Sequence, residues 1–193
     1  MSTRPSLRTF IAHVEDLPGV LNRVVSLMRR RNYNIESLTV GRTAREAVSR
    51  MTIVLEADAD AARRIEANLY KLVNVLSVED VTDAATVVRE LALVKVRADG
   101  KVRSEVIRLC EVFRARVVDV GTEALVAEIT GTADKIDGLV DVLRPFGLLE
   151  IVRTGAVAMR RSAEAGAGVE TKSFTPDDDG DDAPPARDET KAA

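Results

Sequence analysis

One order of apolar segments occurs twice in this chain of 193 residues, and the repeat constrains the fold more than any other feature. In each copy a strand-like run is followed by a helical stripe, two more strand-like runs, a second helical stripe and a last strand. The order βαββαβ is typical of a ferredoxin-like unit, in which two helices cover one face of an antiparallel sheet. We therefore predict an α+β protein with two such units in tandem, over residues 7–82 and 86–160.

The first copy combines strand-like runs with amphipathic helices. Its four predicted strands are Leu7–Val14, Ile35–Gly41, Val48–Glu56 and Val75–Val81. Helical spacing places four apolar residues of the first helix on one face: Leu21, Val24, Val25 and Met28. Asp58 or Asp60 is the predicted cap of the second helix.

The second copy has the same organisation. Its predicted strands are Val87–Val96, Arg116–Val120, Ala124–Thr130 and Leu149–Thr154, with a possible extension through Ala156–Met159. We expect Thr132 to cap the last helix, and Pro145 with Gly147 to end it.

Residues 161–193 differ in composition from the rest of the chain. From residue 159 onward the chain carries nine Asp or Glu and five Lys or Arg, with few large apolar side chains. Such a segment buries too little surface to offset its ordering entropy. We expect 161–193 to be a disordered acidic tail.

Charge and composition exclude several classes of protein. The net charge of −3 offers no broad positive field for nucleic acid or for an anionic membrane. One Cys and one His can form neither an internal disulfide nor a zinc site. We find no apolar run long enough to span a bilayer and no secretory signal, so we expect a cytoplasmic protein.

The first strand also predicts an assembly. Phe10, Ala12 and Val14 alternate with Thr9, Ile11 and His13, so both faces of the strand are partly apolar. Two helices cover only one face of such a sheet. An apolar face or edge left over favours pairing with a second copy, and we predict a homodimer.

The residues show no catalytic constellation. His13 lies within an apolar strand, and we interpret it as a packed or interface side chain rather than a general base. Cys110 lies beside Leu109 on a helix, which favours an inert buried thiol. RNA recognition motifs share the βαββαβ order, but they stack bases on strand aromatics that this chain lacks.

The loop between the first strand and the first helix is the one candidate for ligand binding. Its residues are Asp16, Leu17, Pro18, Gly19, Val20 and Leu21. Free amides at the helix start attract a carboxylate. From the residues alone, a helix cap by Asp16 is the favoured alternative.

Three segments of the sequence indicate a particular family. The loop 16–21, the segment Arg31–Val40 and the segment Ser49–Ile53 together resemble the small, regulatory subunit of acetolactate (acetohydroxyacid) synthase. The segments Lys71–Leu76, Arg89–Val96 and Ile151–Gly155 extend the similarity in the same order. The resemblance covers about residues 7–160, and Tyr33–Val40 makes it specific.

This resemblance implies an N-terminal ACT domain that pairs with a second copy and holds valine, or a related branched-chain amino acid, at the interface. The family's effector positions fall on Asp16, Gly19 and Val20 of the loop, and on Asn34 and Ile35. The loop amides suit a carboxylate, Asp16 or Asn34 suits an ammonium, and Val20 with Ile35 suits an apolar side chain.

The resemblance also implies a catalytic partner subunit that carries thiamine diphosphate, Mg²⁺ and FAD, none of which we expect in this chain. The leading hypothesis is a non-catalytic regulatory subunit that stimulates acetolactate synthase and makes it sensitive to feedback inhibition. The alternatives are a stand-alone ACT-domain sensor that acts on another protein and, from a different class, an RNA-binding protein.

Overall fold

A computed structural model describes residues 6–162 of the chain. The N-terminal unit contains β1 (Ser6–Glu15), α1 (Val20–Arg30), β2 (Ile35–Arg42), β3 (Val48–Ala57), α2 (Ala59–Leu69) and β4 (Val75–Asp80). The strands form an antiparallel sheet in the order β2-β3-β1-β4. The predicted α+β order is confirmed, and β2 lies at a free edge of the sheet.

The C-terminal unit repeats the arrangement. It contains β5 (Thr86–Arg97), α3 (Arg103–Val112), β6 (Arg116–Val120), β7 (Ala124–Gly131), α4 (Ala133–Leu143), β8 (Leu148–Arg153) and β9 (Val157–Arg160). Four of these strands form an antiparallel sheet in the order β6-β7-β5-β8. The domain boundaries at 82 and 86 stay predictions, although the two sheets fall on either side of them.

Each unit has its own apolar core between sheet and helices. In the N-terminal unit, Phe10, Ile53 and Leu55 from the sheet meet Val24 and Ile65 from the helices, along with other buried residues. In the C-terminal unit the four residues predicted on the last helix, Ile136, Leu139, Val140 and Leu143, are all buried. Burial of such side chains is the main favourable term for a fold of this kind.

The helix caps only partly follow the sequence. Asp58 caps α2, because its carboxylate accepts a hydrogen bond from the amide of Ala61 at 2.6 Å. Thr132 occupies the cap position of α4, but its side chain makes no capping hydrogen bond. The predicted cap position is therefore confirmed, without a side-chain hydrogen bond.

The predicted apolar face of α1 is only partly buried. Val24 and Met28 are buried together with Val20, whereas Leu21 and Val25 are 44% and 37% exposed. The buried face is thus rotated toward Val20, and Leu21 and Val25 form a second apolar stripe, one helical turn apart, that faces away from the core.

The sheet face opposite α1 and α2 is covered in part by β9 of the C-terminal unit. The first four residues of β5 pair with β9, and the rest of β5 continues into the second sheet. Ala158 of β9 packs with Ile11 and Val81 in a small buried cluster. The leftover apolar face of β1, expected to attract a second copy, is therefore occupied within the chain.

The predicted acidic tail lies almost wholly outside the described residues, which end at residue 162. Within residues 6–162, no helix combines the length and the apolar character needed to cross a membrane.

Candidate functional site

The loop between β1 and α1 leaves helix amides open. Gly19 is the N-terminal boundary residue of α1 and has a φ of +85°, a left-handed conformation that favours glycine. Among the described residues, no side chain caps this end of the helix. Over residues 6–162, the amides of Gly19 and Leu21 have no acceptor, and that of Val20 makes a long turn bond of 3.4 Å to the carbonyl of Leu17.

Asp16 does not cap α1, so the alternative favoured by the residues alone is wrong. One oxygen of its carboxylate accepts a hydrogen bond from Ser49 Oγ at 3.1 Å, and the other lies 3.3 Å from Nε of Arg42. The amide of Asp16 donates to the carbonyl of Ala47 at 2.8 Å. Asp16 thus braces the loop against the β2–β3 hairpin and leaves the helix end free for an anion.

The other loop residues have distinct environments. Leu17, Pro18 and Leu21 are exposed, whereas Val20 is only 4% exposed and packs in the core. The expectation that the Val20 side chain lines an effector pocket is therefore wrong. Val20 can contribute only its amide, and Leu17 and Leu21 offer the apolar surface around the loop.

Asn34 and Ile35 lie at the opposite end of α1 from the loop. The helix has 11 residues and is therefore about 16 Å long. Asn34 is exposed, directly before β2, and Ile35 is the first residue of that strand. The structure of one chain therefore does not bring the two groups of predicted effector residues together.

An open depression of about 520 Å³ surrounds Asn34. Its lining includes Val25, Met28, Tyr33 and Ile35, and Arg29 and Asn32 complete it. Apolar walls with two amides, Asn32 and Asn34, and the Arg29 guanidinium in the lining suit a small aliphatic ligand with a polar head. The exposed stripe of Leu21 and Val25 connects this depression with the loop along the surface of α1.

His13 and Cys110 have packed environments. His13 Nδ1 lies 3.0 Å from Ser77 Oγ, and burial, reinforced by Arg50, lowers the pKa of the imidazole. Cys110 is buried in the C-terminal core, and burial raises the pKa of its thiol. These surroundings keep the imidazole neutral near pH 7 and the thiol protonated, as expected for packed side chains.

Sequence reasoning missed a cluster beneath the loop. Asn74, directly before β4, contacts Glu15 at the end of β1 and Arg23 on α1. Asn74 is 8% exposed, so its amide is a buried polar group with partners on both sides of the loop. A lone Asn between a helix and a strand gives no pattern in the sequence that marks such a role.

The fold and the loop define a protein with an N-terminal ACT domain. Residues 10–77 match the family model described as AHAS small subunit-like ACT domain. Residues 89–162 match a second model, described as small subunit of acetolactate synthase.

Known proteins agree with these matches over most of the chain. The acetolactate synthase small subunit of Mycolicibacterium smegmatis is 45% identical over 161 residues, which cover 83% of this chain and 95% of that protein. The corresponding subunit of Mycobacterium leprae is 49% identical over 148 residues, covering 77% and 88%. The crystal structure of the small subunit from Thermotoga maritima has a TM-score of 0.75 at 36% identity and covers 81% of this chain and 98% of that one. The chain belongs to the acetolactate synthase small-subunit family.

Proposed function

We propose that this chain binds the catalytic subunit of acetolactate synthase, stimulates it and makes it sensitive to valine or a related branched-chain amino acid. Membership of the small-subunit family implies a catalytic large-subunit partner. The observation that carries the effector proposal is the uncapped N-terminus of α1 at Gly19, which offers amide donors beside exposed apolar side chains.

The effector site is shared between two copies of the chain. The loop and Asn34 are separated by the length of α1, so one chain supplies only half of the site. A two-fold axis beside α1 would place the loop of one copy next to Asn34 and Ile35 of the other. The exposed stripe of Leu21 and Val25, and the free edge of β2, supply apolar surface and strand edge for such a homodimer.

The chemistry of the two halves suits a free amino acid with a small aliphatic side chain. The amides of Gly19, Val20 and Leu21 lie at the positive end of a helix and suit the carboxylate. The side-chain oxygen of Asn34, or the carboxylate of Asp16, can accept from the ammonium. The depression beside Ile35 suits the aliphatic group, and a site between two copies lets the ligand stabilise one dimer arrangement over another.

The reaction itself belongs to the partner. We assign thiamine diphosphate, Mg²⁺ and FAD to the catalytic subunit, and we place the assembly in the cytoplasm. The role of this chain is then to bind, to stimulate and to transmit the effector signal, without a catalytic residue of its own.

Two other functions are less well supported. A stand-alone ACT-domain sensor would not need the C-terminal unit, yet this unit matches the small-subunit family. Base stacking of the RNA-recognition type would need the sheet face opposite the helices, and in this chain β9 packs there.

An activity assay of the cognate catalytic subunit tests the proposal. Acetolactate formation is measured with and without this chain, and valine is then titrated into the mixture. We expect the chain to increase the rate and valine to reverse the increase. A rate that the chain leaves unchanged would contradict the stimulatory role, whereas stimulation without any response to branched-chain amino acids would contradict only the effector role.

A further inference from the structure

Asn74 joins the two flanks of the effector loop. Its side-chain amide donates to Glu15 Oε2, and its side-chain oxygen accepts from Arg23 Nη1 at 2.5 Å. Its backbone carbonyl also accepts from the amide of Glu15 at 3.0 Å. One residue from the connection between α2 and β4 thus contacts the last residue of β1 and the first turn of α1.

These contacts join the two ends of the segment that contains the loop. Glu15 immediately precedes Asp16, and the amide of Arg23 donates to the carbonyl of Gly19 at 3.0 Å. Within the part of the chain that the structure describes, no side chain caps α1. The direction of the open amides therefore depends on the positions of the two flanks of the loop. Asn74 contacts both flanks, through Glu15 on one side and Arg23 on the other.

We propose that Asn74 is a positioning residue for the effector site. It touches no effector itself; it sets the position of the Gly19–Leu21 amides by fixing Glu15 relative to Arg23. This inference rests on the proposed effector role of the loop. It adds a residue that lies 55 positions beyond Gly19 in the sequence and that is not among the effector positions that the resemblance implies.

The side chain of Asn74 donates to Glu15 and accepts from Arg23, and substitutions that change these donor and acceptor roles test the proposal. Asn74→Ala removes both side-chain contacts and leaves the backbone bond to Glu15. Asn74→Asp keeps an acceptor for Arg23 but sets a carboxylate against the carboxylate of Glu15. The double variant Asn74→Asp/Glu15→Gln exchanges donor and acceptor, so that the Gln amide donates to the Asp carboxylate at unchanged total charge.

Two measurements on the full-length protein show how each substitution changes effector binding and the loop. Calorimetric titration of valine gives the affinity, and hydrogen exchange of the valine-free protein gives the opening of the segment 19–25. Helix α3 (Arg103–Val112) serves as the internal reference for exchange. Asn68→Ala is the matched control, because the Asn68 side-chain oxygen accepts its hydrogen bond from exposed Lys71 in the same unit, away from the loop.

We expect Asn74→Ala and Asn74→Asp each to weaken valine binding about tenfold and to speed exchange at 19–25 by a similar factor, with α3 unchanged. The double variant should recover most of the valine affinity and most of the exchange protection at 19–25. Asn68→Ala should match the wild type in both measurements. Unchanged affinity and exchange in the two single variants, faster exchange in α3 as well, or no recovery in the double variant would overturn the proposal.

The exchange measurement separates this proposal from the effector proposal. If the wild type binds no branched-chain amino acid, the effector role of the loop fails. The role of Asn74 in holding the loop is then decided by exchange alone: faster exchange at 19–25 in Asn74→Asp that the double variant reverses supports it, and any other pattern overturns it.

Discussion

Ser37 Oγ accepts a hydrogen bond from the amide of Ala156 at 2.9 Å, across 119 residues of chain. Thr39 Oγ1 donates to the carbonyl of the same residue at 2.8 Å. Two side chains of β2 thereby hold both backbone polar groups of Ala156, a residue of the C-terminal unit. Since Ile35, a predicted effector residue, begins the same strand, β2 directly links one half of the proposed effector site to the C-terminal unit.

The close approach at this junction requires glycine at position 155. Gly155 has a φ of +82°, and a Cβ on it would collide with Ser37 Oγ. We expect Gly155→Ala to lower the free energy of unfolding by about 1–2 kcal/mol from the left-handed backbone alone. Denaturant unfolding measures the change. Gly100→Ala is the control, because a Cβ there meets no atom within 4 Å; equal stability of the two variants would contradict this packing.

Gly19→Asp should abolish the response to valine while stimulation of the catalytic subunit remains. A carboxylate beside the open amides opposes the carboxylate of the effector. Gly19→Asn is the control for shape, since Asn tolerates the left-handed conformation and a Cβ at Gly19 meets no atom within 4 Å. Titration of valine in the activity assay should show far weaker inhibition in the Asp variant than in the Asn variant. Equal inhibition in the two would exclude an anion site here.

Asn34→Ala should weaken valine binding by roughly ten- to hundredfold. The change leaves a polar group of the ligand without a hydrogen-bond partner, at a cost of about 1–3 kcal/mol in binding free energy. Because Asn34 is exposed in the single chain, the fold should be unaffected. Calorimetry gives the affinity, and sedimentation gives the oligomeric state. Unchanged affinity would remove Asn34 from the site, and a dimer lost without ligand would make it a structural residue.

His13 should make stability depend on pH. Burial lowers its pKa from the ordinary 6.5, with Arg50 and Arg45 acting in the same direction and Glu79 opposing them. The unfolded chain therefore takes up this proton at a higher pH than the folded chain does. The stability present above about pH 6.5 is lost as the pH falls through that value toward the folded pKa.

His13→Gln removes this titration and keeps a polar group beside Ser77. Between about pH 7.5 and pH 5.5, we expect Tm to fall less in the variant than in the wild type. Thermal unfolding at both pH values measures the difference. Parallel decreases in Tm would show that other groups dominate the pH dependence.

Local patterns predict most of this fold. The strand Arg116–Val120 is predicted to the residue, and the buried stripe of α4 is correct, because periodicity and turn residues report local backbone preference. Leu21 and Val25 show the limit of such patterns. An apolar residue at helical spacing is assigned to the core, although the same spacing also suits a surface that a second copy would cover.

Contacts between distant segments are beyond this kind of prediction. Whether β9 extends the second sheet or covers the first depends on the turn at Gly155 and on tertiary packing, which no short window of sequence contains. The same holds for Asp16 and Asn74. Their partners, Ser49 and Arg42 for the one and Glu15 and Arg23 for the other, are identified only once the strands are placed side by side.

A mixture of two defective variants tests most directly whether the effector site is shared between copies. Gly19→Asp and Asn34→Ala are unfolded together, refolded as mixed dimers and titrated with valine. If each site takes its loop from one copy and Asn34 from the other, every mixed dimer contains one intact site and one site with both defects. We predict that valine binding at wild-type affinity reappears in the mixture and is absent from either variant alone. A mixture that binds valine no better than the separate variants would contradict a site between two chains.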